Sequence, residues 1–118
     1  MFKIRLWHEE LITKLPRQQL LGQWRETSAL LGNGWGRKHR IVDYVFKYDK
    51  NRLANYAYLI AIEMERRGYK ANLDILDGKY VYGISDTPIY PEHNQSYLKE
   101  CIDNLAGKGI ILFYKEET

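Results

Sequence analysis

Between Asp49 and Gly68 the chain sets Leu53, Tyr56, Ala57, Ile60 and Met64 on the repeat of a single helical face. Steps of three and four residues bring side chains back to one side of an α-helix, whereas a strand alternates sides at every residue. This segment is therefore expected to be a helix with a buried stripe, and Arg66 and Arg67 suit the negative end of its dipole. An earlier segment follows the same logic. Pro16 fits a first helical turn, where its missing N–H leaves nothing unsatisfied; Leu20, Leu21, Trp24 and Leu31 recur at helical spacing, and Gly32 stops the run. A third helix is expected over about Asn94 to Leu105, with Tyr97, Leu98, Cys101, Ile102 and Leu105 inward and Gly107 after it.

Between these lie a turn-rich basic stretch, GNGWGRKHR, and a stretch from Tyr69 to Pro91 of short strands or loops, in which KYVYGI reads best as a strand. The tail GIILFY reads as a short strand or an apolar plug. The expected fold is mainly α: a compact three-helix arrangement with a small irregular or β portion in the C-terminal third. No repeat or linker interrupts the chain, and its 118 residues suit one core, so residues 1–118 are expected to form a single domain.

Other classes are narrowed in the same way. No run of about 18 apolar residues is present, and the start MFKIRLWHEE carries charge too early for a secretory signal. The lone cysteine, Cys101, excludes an internal disulfide and a cysteine-based zinc cluster. Together these fit a cytoplasmic protein, expected to be a monomer. The net charge of +3 is unevenly spread: residues 1–50 hold ten Lys and Arg against five Asp and Glu, and residues 51–118 hold eight against ten. A basic front half fits a polyanion partner such as nucleic acid and fits ordinary scatter of surface charge equally well.

Few motifs carry chemistry by themselves. His8, His39 and His93 are far apart and lack the spacing of a metal site on one element, so no metal is expected. No nucleophile elbow, phosphate-binding loop or dinucleotide fingerprint is present. The first helix says more. Gln19, Gln23 and Glu26 share a polar stripe, and Arg25 lies on the adjacent flank with Gln18, Gly22 and Ala29. Such a stripe beside an apolar face can line a groove, although the plainer reading is the wet side of an amphipathic helix. Arg25 and Glu26 are sequence neighbours that point about 100° apart, so they cannot brace each other.

Four stretches in order then carry a resemblance: LPRQQLLGQWRE, RKH at 37–39, YDK at 48–50 and EMERRGY at 63–69. With them the chain resembles the pyrimidine-dimer DNA glycosylase family, of which phage-type endonuclease V is a member. The likeness covers about the first 70 residues. It implies a compact, largely helical, cofactor-free enzyme that removes a damaged base from double-stranded DNA and cuts the backbone by β-elimination. In the family the α-amine of the leading residue attacks sugar C1′ and forms an imine, so the resemblance assigns that role to Met1, which the bulky Phe2 is expected to leave in place. It assigns the essential carboxylate to Glu26 and DNA contacts to Arg5, Gln19, Arg25, Arg37, Lys38 and His39. Where phage-type members carry a histidine this chain has Gln19, a basic residue three places after the glutamate is replaced by Ala29, and MFKI precedes Arg5.

The residue types suit that chemistry. An α-amine of pKa near 7.8 is roughly 15% neutral at pH 7, against less than about 0.1% for an ordinary lysine. A nearby carboxylate can steady the cationic imine or take the C2′ proton. Trp35, Trp7 or another aromatic could fill the space of a displaced base, with core packing expected for Trp7 and Trp24. Two other readings fit the same residues: a non-catalytic DNA-binding module on this scaffold, and a small domain whose basic half meets an acidic protein.

Overall fold

The computed structural model describes residues 5–34, 43–76, 80 and 89–112. The fold is mainly α, with three α-helices: α1 (Arg17–Ala29), α2 (Lys50–Arg66) and α3 (Gln95–Gly107). Short 3-10 turns at Glu9–Lys14, Asp43–Lys47 and Leu73–Ile75 and a π-helical turn at Leu30–Gly34 complete the described elements, and no strand occurs among the described residues. The proposed strand KYVYGI lies outside the described residues except for Tyr80, whose hydroxyl donates to the Leu31 carbonyl at 3.2 Å. No described helix is long and apolar enough to cross a membrane.

α2 forms where the stripe places it. Asp49 caps its start by accepting from the Asn51 N–H at 2.7 Å, which satisfies a donor that a helix start otherwise leaves orphaned. Leu53, Tyr56, Ala57 and Ile60 are 0% exposed and Met64 3%. Each fully buried Leu or Ile contributes roughly 1.5–3 kcal/mol. α2 packs on α1 and on the Glu9–Lys14 turn. Its last turn is fixed to that turn by charge: Glu63 is 2% exposed and takes Arg67 Nε at 2.6 Å, while Arg67 also donates to the Thr13 carbonyl at 3.2 Å.

α2 and α3 end by the same device. Gly68 (φ +88°) sends its N–H to the Glu65 carbonyl at 3.0 Å, and Tyr69 N–H returns to Met64 at 2.8 Å. Gly109 (φ +84°) and Ile110 repeat this at 3.0 and 2.9 Å to Ala106 and Leu105. Both are Schellman closures, which need a left-handed residue just past the helix. Gly109 therefore terminates α3, whereas Gly107 lies inside the helix. The described part of the tail, through Leu112, forms no strand: Ile110 tucks back while Ile111 is 65% exposed. Gly68→Ala is expected to destabilise the fold by about 1–2 kcal/mol, the cost of a Cβ in that conformation, read as a lower urea midpoint. Nothing lies within 4 Å of the added Cβ, so an unchanged midpoint would show that the helix end can refold around the substitution.

In α1 the inner face is not the one its apolar residues outline. Leu20, Gln23 and Thr27 are buried and Leu30 and Leu31 continue the line, whereas Leu21 and Trp24 are half-buried. The polar stripe read from the sequence exists, but it straddles the boundary of the core. Gln23 is inside at 4% exposed, and Gln19 and Glu26 are half-buried at the edge. Thr27 is accommodated because its hydroxyl donates to the Gln23 carbonyl one turn back at 2.8 Å. Pro16 sits at the N-cap and supplies no side-chain cap.

Candidate functional site

Gln23 is buried because it has a chain segment to hold. Its Oε1 accepts the Trp7 N–H at 3.1 Å and its Nε2 donates to the Arg5 carbonyl at 3.2 Å. In an extended chain the carbonyl of one residue and the N–H two places on face the same side, so a single side-chain amide can pair with both, as a neighbouring strand would. The Tyr56 hydroxyl lies 2.7 Å from both Gln23 Oε1 and the Trp7 carbonyl. Burial holds this phenol well above its ordinary pKa, so it keeps the one proton that it shares between the two acceptors. On the opposite side, Tyr97 Oη donates to the Leu6 carbonyl at 2.5 Å. Residues 5–7 are thus fastened between α1, α2 and α3.

Glu26 follows Gln23 by one helical turn, where side chains three apart are surface neighbours at about 5–6 Å between Cβ atoms. Gln23 is fully inside, whereas Glu26 is half-buried. No hydrogen bond or ion pair to another described residue engages it. Arg25 is exposed, and its guanidinium lies over Gly22: Nη2 is 3.7 Å from the place a Cβ would take there. A Cβ at position 22 would make ordinary van der Waals contact with this guanidinium.

Arg5 is half-buried, with its guanidinium 5.6 Å from the Tyr97 ring centre and 3.5 Å from Glu100 Oε1. Arg5 thus stands beside α3, while Gln19, Arg25 and Glu26 lie on α1, Gln19 and Glu26 half-buried and Arg25 exposed. Met1, Arg37, Lys38 and His39 lie outside the described residues, as does Trp35. Trp7 is 8% exposed and in the core; Trp24 is half-buried against it.

Next to this segment is a buried polar cluster that sequence spacing does not reveal. His8 and His93, 85 residues apart, meet with ring centres 5.7 Å apart. His8 Nδ1 accepts the Glu10 N–H at 3.1 Å, so its proton is on Nε2, which donates to the His93 carbonyl at 3.0 Å. His93 Nδ1 donates to Glu9 Oε1 at 2.6 Å, its Nε2 accepts the Tyr44 hydroxyl, and its ring stacks on Tyr97 at 4.8 Å. The other Glu9 oxygen takes the Ile89 N–H at 2.8 Å. Among the described residues no group of three His, Cys, Asp or Glu side chains could hold a metal ion. The cluster ties the chain before α1 to the start of α3.

Its protonation sets an acid limit. Burial pushes the His8 pKa below its ordinary 6.5. Burial alone would raise the Glu9 carboxyl, but the hydrogen bonds from His93 and Ile89 outweigh it and hold Glu9 below its ordinary 4.5. In both cases the unfolded chain binds the proton more readily, so each contribution to stability is present above the ordinary pKa and is lost as pH falls through the lower folded value. The urea midpoint is therefore expected to decline as pH drops below about 6.5, and again below about 4.5. A midpoint unchanged between pH 7.5 and 5.5 would contradict the neutral, buried state of His8.

The comparison with protein families completes the site. The profile of a family described as pyrimidine dimer DNA glycosylase matches residues 4–77. That interval contains Arg5, Gln19, Gln23, Arg25, Glu26 and all of α1 and α2. Comparison with curated proteins and with solved structures gives no match.

Proposed function

Since the chain belongs to the pyrimidine dimer DNA glycosylase family, we propose that it excises pyrimidine dimers from duplex DNA and cuts the abasic strand through the amine of Met1, with Glu26 as the essential carboxylate. One observation carries this reading: Gln23 ties the Arg5 carbonyl to α1 one turn before Glu26, which is half-buried and bonded to no other described residue. Four residues upstream of Arg5 can span about 14 Å, a reach that supports contact between the leading amine and a sugar at Glu26.

In the proposed sequence the neutral amine bonds to C1′ as the glycosidic C1′–N bond breaks and the base leaves with a proton. The sugar ring then opens to a protonated imine. Glu26 takes a C2′ proton, and the freed electron pair forms the C2′–C3′ double bond as the C3′–O pair leaves with the phosphate. Water releases the sugar and restores the amine. Arg25, Arg5, Gln19 and the loop residues Arg37, Lys38 and His39 hold the DNA backbone.

Borohydride trapping on a duplex with an abasic site tests the reading directly. A covalent adduct lost when the N-terminus is acetylated supports it. Salt-sensitive duplex binding without an adduct or strand scission would replace it with the non-catalytic binding module. For Arg25→Ala the expected result is weaker duplex binding, with the slope of log affinity against log salt shallower by about one phosphate contact. An unchanged slope would remove Arg25 from the DNA-facing set.

A further inference from the structure

We propose that Gln23 is a positioning residue for this reaction: its side-chain amide fixes the register of residues 5–7 against α1, the anchor from which the leading amine has to reach a sugar at Glu26. The inference rests on the proposed function and goes beyond it, because Gln23 touches neither substrate nor reacting atom. The reasoning begins with an oddity of composition. A glutamine at 4% exposure occupies a buried face that it shares with Leu20, Thr27, Leu30 and Leu31. Leucine would fill that place and remove a buried polar group, whose burial without partners costs roughly 1–3 kcal/mol. What glutamine adds is directional. It meets the Trp7 N–H and the Arg5 carbonyl with one planar group, at 3.1 and 3.2 Å, and this pair defines a register to within one residue. A slip by one residue turns every backbone group to the opposite side and moves the chain head by about 3.3 Å.

The amide is itself oriented. With Oε1 toward Trp7 N–H and Tyr56 Oη, and Nε2 toward Arg5, every polar atom of the group has a partner, whereas the flipped amide would set its NH₂ against the Trp7 N–H. Tyr56 is the second element of the device. It comes from α2, and its hydroxyl reaches both Gln23 and the Trp7 carbonyl. A misplacement of about 1 Å at a reacting pair can lower a rate by about 10², so this clamp is placed where small errors matter.

The test compares wild type, Gln23→Glu and Tyr56→Phe, each confirmed as folded by circular dichroism. Single-turnover borohydride trapping on an abasic duplex is set beside binding to a duplex carrying a tetrahydrofuran site, which has no aldehyde to trap. Gln23→Glu keeps shape and both acceptor bonds but, as a carboxylate, cannot donate to the Arg5 carbonyl. At pH 7.5 its trapping rate is expected to fall by about 10²-fold with tetrahydrofuran-duplex affinity unchanged. It is expected to recover toward pH 5.5, where the protonated acid can donate again. The wild type has the opposite trend, since acid protonates its amine. Tyr56→Phe is expected to give a smaller drop in trapping rate with no recovery in acid. If wild type forms no adduct, the functional reading fails and this inference falls with it. If wild type is trapped and folded Gln23→Glu matches its rate, the positioning role is overturned while the function stands. A parallel loss of trapping and binding would also overturn it, because that pattern marks a general loss of structure.

Discussion

Glu26→Gln is expected to slow strand scission on dimer-containing duplex by about 10²–10⁴-fold with duplex affinity close to that of wild type. The substitution preserves shape and removes only the negative charge and the proton acceptor. Because no described residue bonds to this carboxylate and it lies half-buried at the margin of α1, stability is expected to move by less than about 0.5 kcal/mol, as for other substitutions outside a packed or paired site. That separation makes the result decisive. The adduct with a preformed abasic site is expected to persist, since the amine is intact and the base is already gone. Cleavage at wild-type rate by Glu26→Gln would remove the carboxylate from the chemistry, and a loss matched by a fall in urea midpoint would assign Glu26 to the scaffold.

The arrangement of α1 also answers why Arg25 and Glu26 are neighbours on a helix. They point about 100° apart: Glu26 is half-buried, whereas Arg25 is exposed and lies back over Gly22, and the proposed reaction gives each a different part of the substrate. Opposite charges placed to brace each other would stand three or four positions apart, as Glu63 does with Arg66 and Arg67.

α2 was legible because Leu53, Tyr56, Ala57, Ile60 and Met64 form one buried apolar stripe and its cap, Asp49, and terminator, Gly68, stand at the expected places. The buried Glu63, paired with Arg66 and Arg67, is an inward position that the stripe does not show. α1 was legible as a helix but not in its facing. Leu20 and Leu31 are eleven residues apart, close to three whole turns, and the line joining them runs through 23 or 24 and then 27. That line was available in the sequence. Trp24 drew attention to itself as the larger apolar residue, while the partners that let Gln23 enter the core are Arg5, Trp7 and Tyr56. Hydrogen bonds across 16 and 33 residues leave no periodic trace. For the same reason His8 and His93 could not be paired from spacing. The nearest local signal was that each histidine adjoins a glutamate, Glu9 and Glu92, and only the fold shows that His93 bonds to the former.

Truncating His93 is the substitution expected to cost the most stability. Its imidazole is 0% exposed and serves several neighbours at once, so His93→Ala opens a cavity beside the Tyr97 ring. It also leaves the Tyr44 hydroxyl without its acceptor and strips Glu9 of its closest partner. Cavity formation and an uncompensated, largely buried carboxylate each reach several kcal/mol, so a combined loss of about 3–5 kcal/mol is expected. That is a large part of the 5–15 kcal/mol typical of a folded domain. Tyr44→Phe removes one hydroxyl and is expected to cost about 1–3 kcal/mol by leaving the His93 Nε2 acceptor unpaired. The acid profile separates cavity from charge. Without His93 the carboxyl of Glu9 loses the main hydrogen bond that holds it below its ordinary 4.5, and burial then raises it. Its folded pKa no longer lies under the unfolded one, so the stability that wild type loses below about pH 4.5 is already missing at neutral pH. Urea unfolding at pH 7.5 and pH 4 is expected to show the gap between wild type and His93→Ala narrowing in acid. A constant gap would mean that the ring acts through packing alone and that the Glu9 bond contributes nothing net.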